Sequence, residues 1–329
     1  MRHPQTPAEY VEMEFRVEPN YAGWRLDRYL CAKIPRLSRS RIQRIIERSV
    51  FCDRKLKPST LVRPGLTFWL RRRAPEEPET PSAVKEIYRD DALFVLDKPA
   101  GLPMHPSARY HHGTLVMLLR RLYGAQFQAW PAHRLDRETS GLVICGRTPA
   151  AARALMEDFR CGRVEKEYLA ICEGQPPDSF AVDAPIAEGS AQVRIAVRVD
   201  HQAGRRALTR FVVLRRFERE SSCFALVRAL PETGRQHQIR VHLREAGFPI
   251  VGDKIYGPDE GYFDRFSKRL LEPEAWRELR LPRHALHASQ IRLAHPSTRA
   301  PLCFSSPLPE DLAGFMPPAE SELAGVNPG

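Results

Sequence analysis

His133-Arg134-Leu135-Asp136-Arg137-Glu138-Thr139-Ser140-Gly141 runs straight into Leu142-Val143-Ile144-Cys145, and the join between these two pieces decides how the chain is read. The second piece has four apolar residues in succession, two of them β-branched, which predicts a buried strand. The first piece is then a polar loop delivered to the mouth of that strand. It holds one carboxylate, Asp136, between two guanidiniums, Arg134 and Arg137, with a Thr-Ser-Gly turn behind it. An arginine within a few ångströms lowers an aspartate pKa by roughly 1–3 units, which keeps Asp136 ionised and able to attack or to accept charge. No other carboxylate sits in so basic a setting beside a predicted core strand.

Working outward, 329 residues suit about two domains with a full core, and 43% hydrophobic with 28% charged residues describes an ordinary globular chain. The formal net charge of +11 is the footprint of a polyanion binder. The seven cysteines lie far apart with no Cys-x-x-Cys pair, so neither a zinc site nor a dithiol is indicated. His105, His111 and His112 lack acidic or cysteine neighbours, which speaks against a metal. No apolar run of about 18 residues and no signal-like start occurs, so a cytoplasmic, membrane-free setting is expected.

Residues 24–73 carry fifteen Lys or Arg against three acids, an excess that accounts for the whole net charge. Leu26, Tyr29, Leu30 and Ile34 fall at helical spacing before Pro35. Ser38 is placed to cap a second helix, with Ile42, Ile45 and Ile46 on one face and Arg39, Arg41, Arg44 and Arg48 mainly on the others. Extended segments at 50–52 and 66–70, with a Pro64-Gly65 turn, complete a small module suited to tracking phosphates. Residues 1–13 read as a flexible leader and 14–73 as the basic module. Residues 74–84, with three Pro and three Glu among the first ten, read as a mobile linker. The large domain is expected over 85–310, and 311–329 as a flexible tail.

In the large domain, strands are predicted at 87–88, 93–96, 164–172, 207–214 and 223–230, and helices at 114–122 and 149–159. Asp97-Lys98-Pro99-Ala100-Gly101-Leu102-Pro103-Met104-His105-Pro106 is a rigid loop, in which Lys98 is either a substrate-phosphate contact or a loop salt bridge. Near its end the chain reads Thr233-Gly234-Arg235-Gln236-His237-Gln238-Ile239-Arg240-Val241-His242. The Thr-Gly turn frees a helix N-terminus beside Arg235, which suits an anion. Ile239 and Leu243 face inward, so Arg240 lies beside the buried face and needs a carboxylate. His237 and His242, five apart, read as structural hydrogen-bonding residues. Residues 258–282 form a charged helical segment without an assigned role.

The string His-Arg-Leu-Asp-x-x-Thr-Ser-Gly resembles the signature of the RluA-type pseudouridine synthases, in which the aspartate is the essential catalytic residue. The Asp97–Pro106 segment, Lys166-x-Tyr168, the Thr233–His242 segment with Gly247-x-Pro249-Ile250-x-Gly252-Asp253-x-x-Tyr256-Gly257, and Leu286-His287-Ala288 with His295-Pro296 are similar to further family segments, in order. The N-terminal pattern, from Arg25-Leu26-Asp27 through Leu37-Ser38-Arg39-Ser40-Arg41-Ile42-Gln43 to Val50, resembles the RNA-binding module first known from ribosomal protein S-four. It departs from that pattern at Ser49, where glycine is usual, and in the hairpin Val50-Phe51-Cys52-Asp53-Arg54-Lys55.

The resemblance implies an α+β fold with a mixed, mainly antiparallel central sheet, flanking helices and the active site in a cleft. It implies isomerisation of uridine in structured RNA: the glycosidic bond breaks, the uracil turns while bound, and carbon 5 rejoins the sugar. Asp136 would act as nucleophile or as base, Arg240 would pair with it, and Tyr168 would lie against the flipped base. Arg134 would take the extruded base's place, and Arg235, Arg39, Arg41 and Arg44 would contact RNA. No cofactor or metal is expected, ribosomal RNA is favoured over a tRNA loop, and the protein is expected to be monomeric. Substrate choice is expected in the N-terminal module and in 258–282. Two other readings remain at this point: an RNA-binding assembly factor on an inactive scaffold, and a glycosidic hydrolase, for which Glu138 is the second carboxylate on offer.

Overall fold

A computed structural model describes residues 10–35, 37–73, 77–107, 110–189 and 196–318. The chain divides into two compact units, Met1–Glu76 and Glu77–Gly329.

In the small unit, β1 (Tyr10–Arg16) is followed by α1 (Leu26–Lys33), α2 (Arg39–Ser49), β2 (Val50–Phe51) and β3 (Thr67–Arg73). The strands form an antiparallel sheet in the order β1-β3-β2. Leu26, Tyr29, Leu30, Ile42 and Ile46 come off the two helices at 3–4-residue spacing and bury against Phe68. The expected leader is corrected here: residues 10–13 are the first half of β1, paired with Leu70–Arg73, and 1–9 lie outside the described residues. Ser38 is the N-cap residue of α2 in extended conformation, but its side chain makes no capping bond.

The large unit continues with β4 (Lys85–Arg89), β5 (Leu93–Lys98), α3 (Leu115–Tyr123), β6 (Trp130–Pro131), β7 (Ser140–Gly146), α4 (Pro149–Arg160), β8 (Glu165–Glu173), β9 (Ser179–Asp183), β10 (Ile186–Glu188), β11 (Val197–Val199), β12 (Leu208–Arg219) and β13 (Ser222–Pro231). After these come α5 (Gln238–Glu245), α6 (Tyr262–Ser267), α7 (Pro273–Leu279), β14 (Leu286–Ala294), β15 (Pro301–Ser305) and α8 (Glu310–Ala313). One sheet runs β4-β5-β7-β14-β8-β13-β12-β9, with β15 on β14 and β6 on β7. Every pairing in it is antiparallel except β7 with β14. The fold is therefore α+β, with a mixed and mainly antiparallel sheet.

Strand β7, whose seven residues are all buried, lies inside this sheet and carries the Asp136 loop at its N-terminal end. Gly141 makes that placement possible. Its φ is +111°, and a Cβ there would lie 2.2 Å from the carbonyl oxygen of Ala288, so β14 could not approach behind the loop with any other residue present.

Two expected boundaries change. In the stretch 74–84, the Glu77 carboxylate accepts the backbone N–H groups of His111, His112 and Gly113 at 2.8–2.9 Å, so that part is bonded to the large unit. Past residue 310, α8 buries Leu312, Phe315 is buried behind it, and Asp311 takes a two-pronged ion pair from Arg283 at 2.6 and 2.9 Å. Residues 311–318 thus belong to the fold and not to a tail, while 319–329 lie outside the described residues.

Candidate active site

Residues 132–139 cross from β6 to β7, pinned at both ends. The N–H of Ile144 donates to His133 Nε2 at 3.0 Å, and that ring stacks on Phe159 with centroids 4.6 Å apart. At the other end Thr139 Oγ1 bonds His284 Nε2 at 2.7 Å. Between the pins, Leu135 is buried and Arg134 is exposed. The expectation that Arg134 and Arg137 flank the Asp136 carboxylate is corrected. Arg134 has no protein partner among the described residues, and Arg137 donates to Tyr110 Oη and Glu138 Oε1 at 2.6 and 2.7 Å. Neighbours along an extended loop point different ways, so sequence adjacency does not make a contact.

The partner comes from α5. Arg240 Nη1 donates to Asp136 Oδ2 at 2.7 Å, while its Nε and Nη2 hold Asp253 at 2.6 and 2.8 Å. Asp253 is fully buried and its Oδ1 also accepts the N–H groups of Ile255 and Tyr256. One buried guanidinium thus serves two carboxylates, with its own desolvation offset on both sides. Burial pushes the Asp136 carboxyl up, but His237, Arg240 and His284 outweigh it and bring it down to about 2. His237 is itself pushed down to about 4 by burial and by Arg240, and His284 to about 3. Near neutrality both imidazoles are uncharged, and Arg240 is the partner that carries charge.

Asp136 opens onto a cleft of about 440 Å³, a size suited to one small ligand moiety. Tyr168, on β8, lines it, and the Tyr168 hydroxyl has no hydrogen-bond partner among the described residues. Burial, and Asp136 after it, push this phenol above its ordinary range, so it stays protonated and can donate. Arg134, Lys166 and Arg235 add cations to the lining. Lys166 Nζ donates to Thr233 O at 3.3 Å and Arg235 Nε to Arg206 O at 3.1 Å, so each keeps donors for an anion.

Lys98 is corrected: it is neither a phosphate contact nor a salt bridge. Its side chain is fully buried, and Nζ donates to the carbonyls of Pro99, Leu102 and Arg137 at 2.9, 3.0 and 3.1 Å. Burial pushes its pKa down to about 7, yet three carbonyl acceptors call for three N–H bonds, so the ammonium form fits the geometry. The residue ties the 97–106 loop to the carbonyl next to Asp136. In the small unit Arg39 donates to buried Asp27 at 3.0 Å, whereas Arg41 and Arg44 are exposed with no partner among the described residues.

The segment 258–282 lies behind the Asp136 loop. Lys254 Nζ bonds Glu138 Oε2 and Pro282 O at 2.9 and 2.7 Å and sits 4.8 Å over the Phe266 ring, which also meets Trp276 and the Arg137 guanidinium. Three of the segment's five cations pair locally, Arg265 with Asp259, Lys268 with Asp264 and Arg277 with Glu274. The segment thus buttresses the Asp136 loop from behind.

His237, Asp253 and Tyr256 were missed as site residues. His237 Nε2 lies 3.6 Å from Asp136 Oδ1, and its Nδ1 is 2.9 Å from the Tyr256 hydroxyl. His242, by contrast, bonds Thr209 Oγ1 and Ala184 O, a structural role as expected. The available signal was the Asp253-x-x-Tyr256 spacing just beyond a buried arginine. Among the described residues no group of three or more His, Cys, Asp or Glu could hold a metal ion, and no helix is long and apolar enough to cross a membrane.

An ionised, arginine-held aspartate at the head of a basic cleft in a mixed sheet defines an enzyme acting on an anionic substrate. The family pattern of the RNA pseudouridylate synthases matches residues 92–245. An uncharacterized RNA pseudouridine synthase of Chloroflexus aurantiacus is 36% identical over 92% of this chain and 93% of its own length. Ribosomal large subunit pseudouridine synthase D of Nitrosomonas europaea is 34% identical over 92% of this chain and 87% of its own, and that of Pseudomonas aeruginosa is 33% identical over 92% and 94%. The solved human RNA pseudouridylate synthase domain containing 1 superposes with a TM-score of 0.57 at 26% identity, covering 75% of this chain and 96% of that one. The chain belongs to the RNA pseudouridine synthase family.

Proposed function

We propose that this enzyme converts uridine in ribosomal RNA to pseudouridine with Asp136 as the group acting at the sugar. The observation that carries this reading is the state of Asp136: at the cleft, ionised, gripped through Oδ2 by Arg240, with Oδ1 taking no hydrogen bond among the described residues. Tyr168 faces the uracil through its ring and unpartnered hydroxyl, and Arg134 at the rim takes the space the base leaves. Arg235 and Lys166 hold backbone phosphate at the mouth, and the exposed Arg41 and Arg44 of the S-four-type module track phosphates elsewhere on the RNA. The isomerisation changes neither oxidation state nor composition, so its chemistry calls for no metal or external energy.

Ribosomal RNA as substrate is supported by the Nitrosomonas and Pseudomonas relatives, ribosomal large subunit pseudouridine synthases that align with nearly the whole chain. A monomer working in the cytoplasm is the state this reading takes. The hydrolase reading loses its second carboxylate, because Glu138 is held by Arg137, Lys254 and His284, and Glu232 on the rim is exposed and bonded to Arg210. The inactive-scaffold reading is not favoured, since Asp136, Tyr168 and Arg240 are all present.

The test is incubation of total RNA from a synthase-depleted host with the purified protein, followed by mapping of carbodiimide-dependent primer stops. New stops in large-subunit RNA that vanish with Asp136→Ala support the proposal. Unchanged RNA despite tight, salt-sensitive binding overturns it in favour of the scaffold reading.

A further inference from the structure

We propose that His237 takes part in the reaction as a neutral hydrogen-bond donor, with its Nε2–H aimed beside the open oxygen of Asp136 by Tyr256. The proposal rests on Asp136 being the reacting group. The tautomer follows from the network. The backbone N–H of Val197 donates to the Tyr256 oxygen at 2.8 Å, and His237 Nδ1 lies 2.9 Å from that same oxygen. If Nδ1 carried the proton, the buried phenol would accept twice and its own hydrogen would have no acceptor among the described residues. The phenol therefore donates to Nδ1, and the single proton of the neutral ring sits on Nε2.

That nitrogen is 3.6 Å from Asp136 Oδ1, beyond hydrogen-bond length. The donor is thus not committed to the carboxylate and can reach Oδ1 or a substrate oxygen arriving beside it. Arg240 and Arg134 on one side and Asp136 and Asp253 on the other are the charges around the ring, and burial keeps it neutral. The backbone supports a functional origin. His237 has φ 53° and ψ 17°, a left-handed conformation at the N-cap of α5, where it makes no capping bond. Tyr256 holds it there by an edge-on ring contact at 5.6 Å as well as by the hydroxyl. The Asp253-x-x-Tyr256 segment therefore serves α5 twice, Asp253 aiming Arg240 and Tyr256 aiming His237.

The test measures single-turnover tritium release from total RNA carrying tritium at carbon 5 of its uridines. It is combined with nitrogen NMR of histidine-labelled protein without RNA. His237→Ala is expected to lower the rate about 100-fold, the usual effect of removing one aimed donor. His237→Gln, which returns an N–H near the Nε2 position, is expected to recover most of it. His237→Gly relieves the left-handed backbone, so it is expected to fold as stably as the parent and to remain slow. Tyr256→Phe is expected to slow release with RNA affinity unchanged and to move the Nδ1 resonance away from its acceptor position. A full rate in His237→Gly, or an Nδ1-protonated ring in the parent, overturns the proposal. Asp136→Ala separates the two claims: if it abolishes release while the His237 variants keep the full rate, this inference alone fails, and if Asp136→Ala also releases tritium, the underlying assignment fails.

Discussion

Asp253 holds Arg240 through both of its oxygens, at 2.6 and 2.8 Å, and thereby fixes the one remaining guanidinium nitrogen that meets Asp136. The Asp136 carboxylate is aimed from a buried acid it never touches. Breaking such a buried pair from one side leaves an uncompensated charge.

Arg240→Ala is therefore expected to destabilise the large unit by about 3–5 kcal/mol, because two buried carboxylates lose their partner. Arg240→Lys keeps a charge but replaces the planar fork with a point donor that cannot serve both acids. It is expected to unfold closer to the parent and to be nearly as inactive. Urea unfolding alongside tritium release checks both expectations, and an active Arg240→Lys would contradict the aiming role.

Tyr168 separates ring from hydroxyl. Tyr168→Phe is expected to keep RNA affinity and lose rate, since the phenol is protonated and otherwise unpartnered. Tyr168→Ala is expected to lose, in addition, about 1–3 kcal/mol of base stacking, read as a weaker Kd for an RNA that carries the target uridine.

Acid stability is expected to fail in the large unit first. His133, His237 and His284 are pushed by burial to about 3, 4 and 3. Because these folded-state values lie below the unfolded value of about 6.5, the stability they contribute is complete above that pH and is lost as pH falls toward 4 and 3. Asp136, lowered to about 2, adds a contribution that is complete above about 4 and lost only below that. Residues 10–73 contain no histidine. Amide protection, taken relative to the intrinsic exchange rate at each pH, is expected to fall between about pH 6.5 and 4 across β7, β8 and α5 while α1 and α2 keep theirs. Equal loss in both units would contradict this.

Lys98 and the rim arginines are expected to part company in salt titrations. Of the rim arginines, Arg235→Ala should lower the slope of log binding constant against log salt by about 1, as a lost phosphate contact does. Lys98→Met should leave the slope unchanged and lower thermal stability, since three buried carbonyls lose their donor.

The sequence carried the Asp136 loop, β7, α3 and α4 because unbroken apolar runs and 3–4-residue spacing are local signals. Arg240 was legible for the same reason, as a cation beside an inward-facing helical stripe. Its second partner was not, because Asp253 lies on a loop whose path no periodicity encodes. Nor was the orientation of Arg134 and Arg137, where adjacency in sequence suggested contacts that the turn of the loop denies. Lys98 misled in the opposite way: a lysine in a Pro-rich loop reads as exposed, and only the fold supplies three carbonyls to bury it. Strand β1 and helix α8 escaped because their anchors, β3 and Arg283, lie 28 or more residues away.

The most direct test of the central claim is the fate of the base. RNA treated with the enzyme would be digested to nucleosides and separated by chromatography, with Asp136→Asn in parallel. The account expects pseudouridine to appear in the amount of uridine lost, with no free uracil, and neither change with the variant. Free uracil in place of pseudouridine, or pseudouridine made equally well by Asp136→Asn, would contradict it.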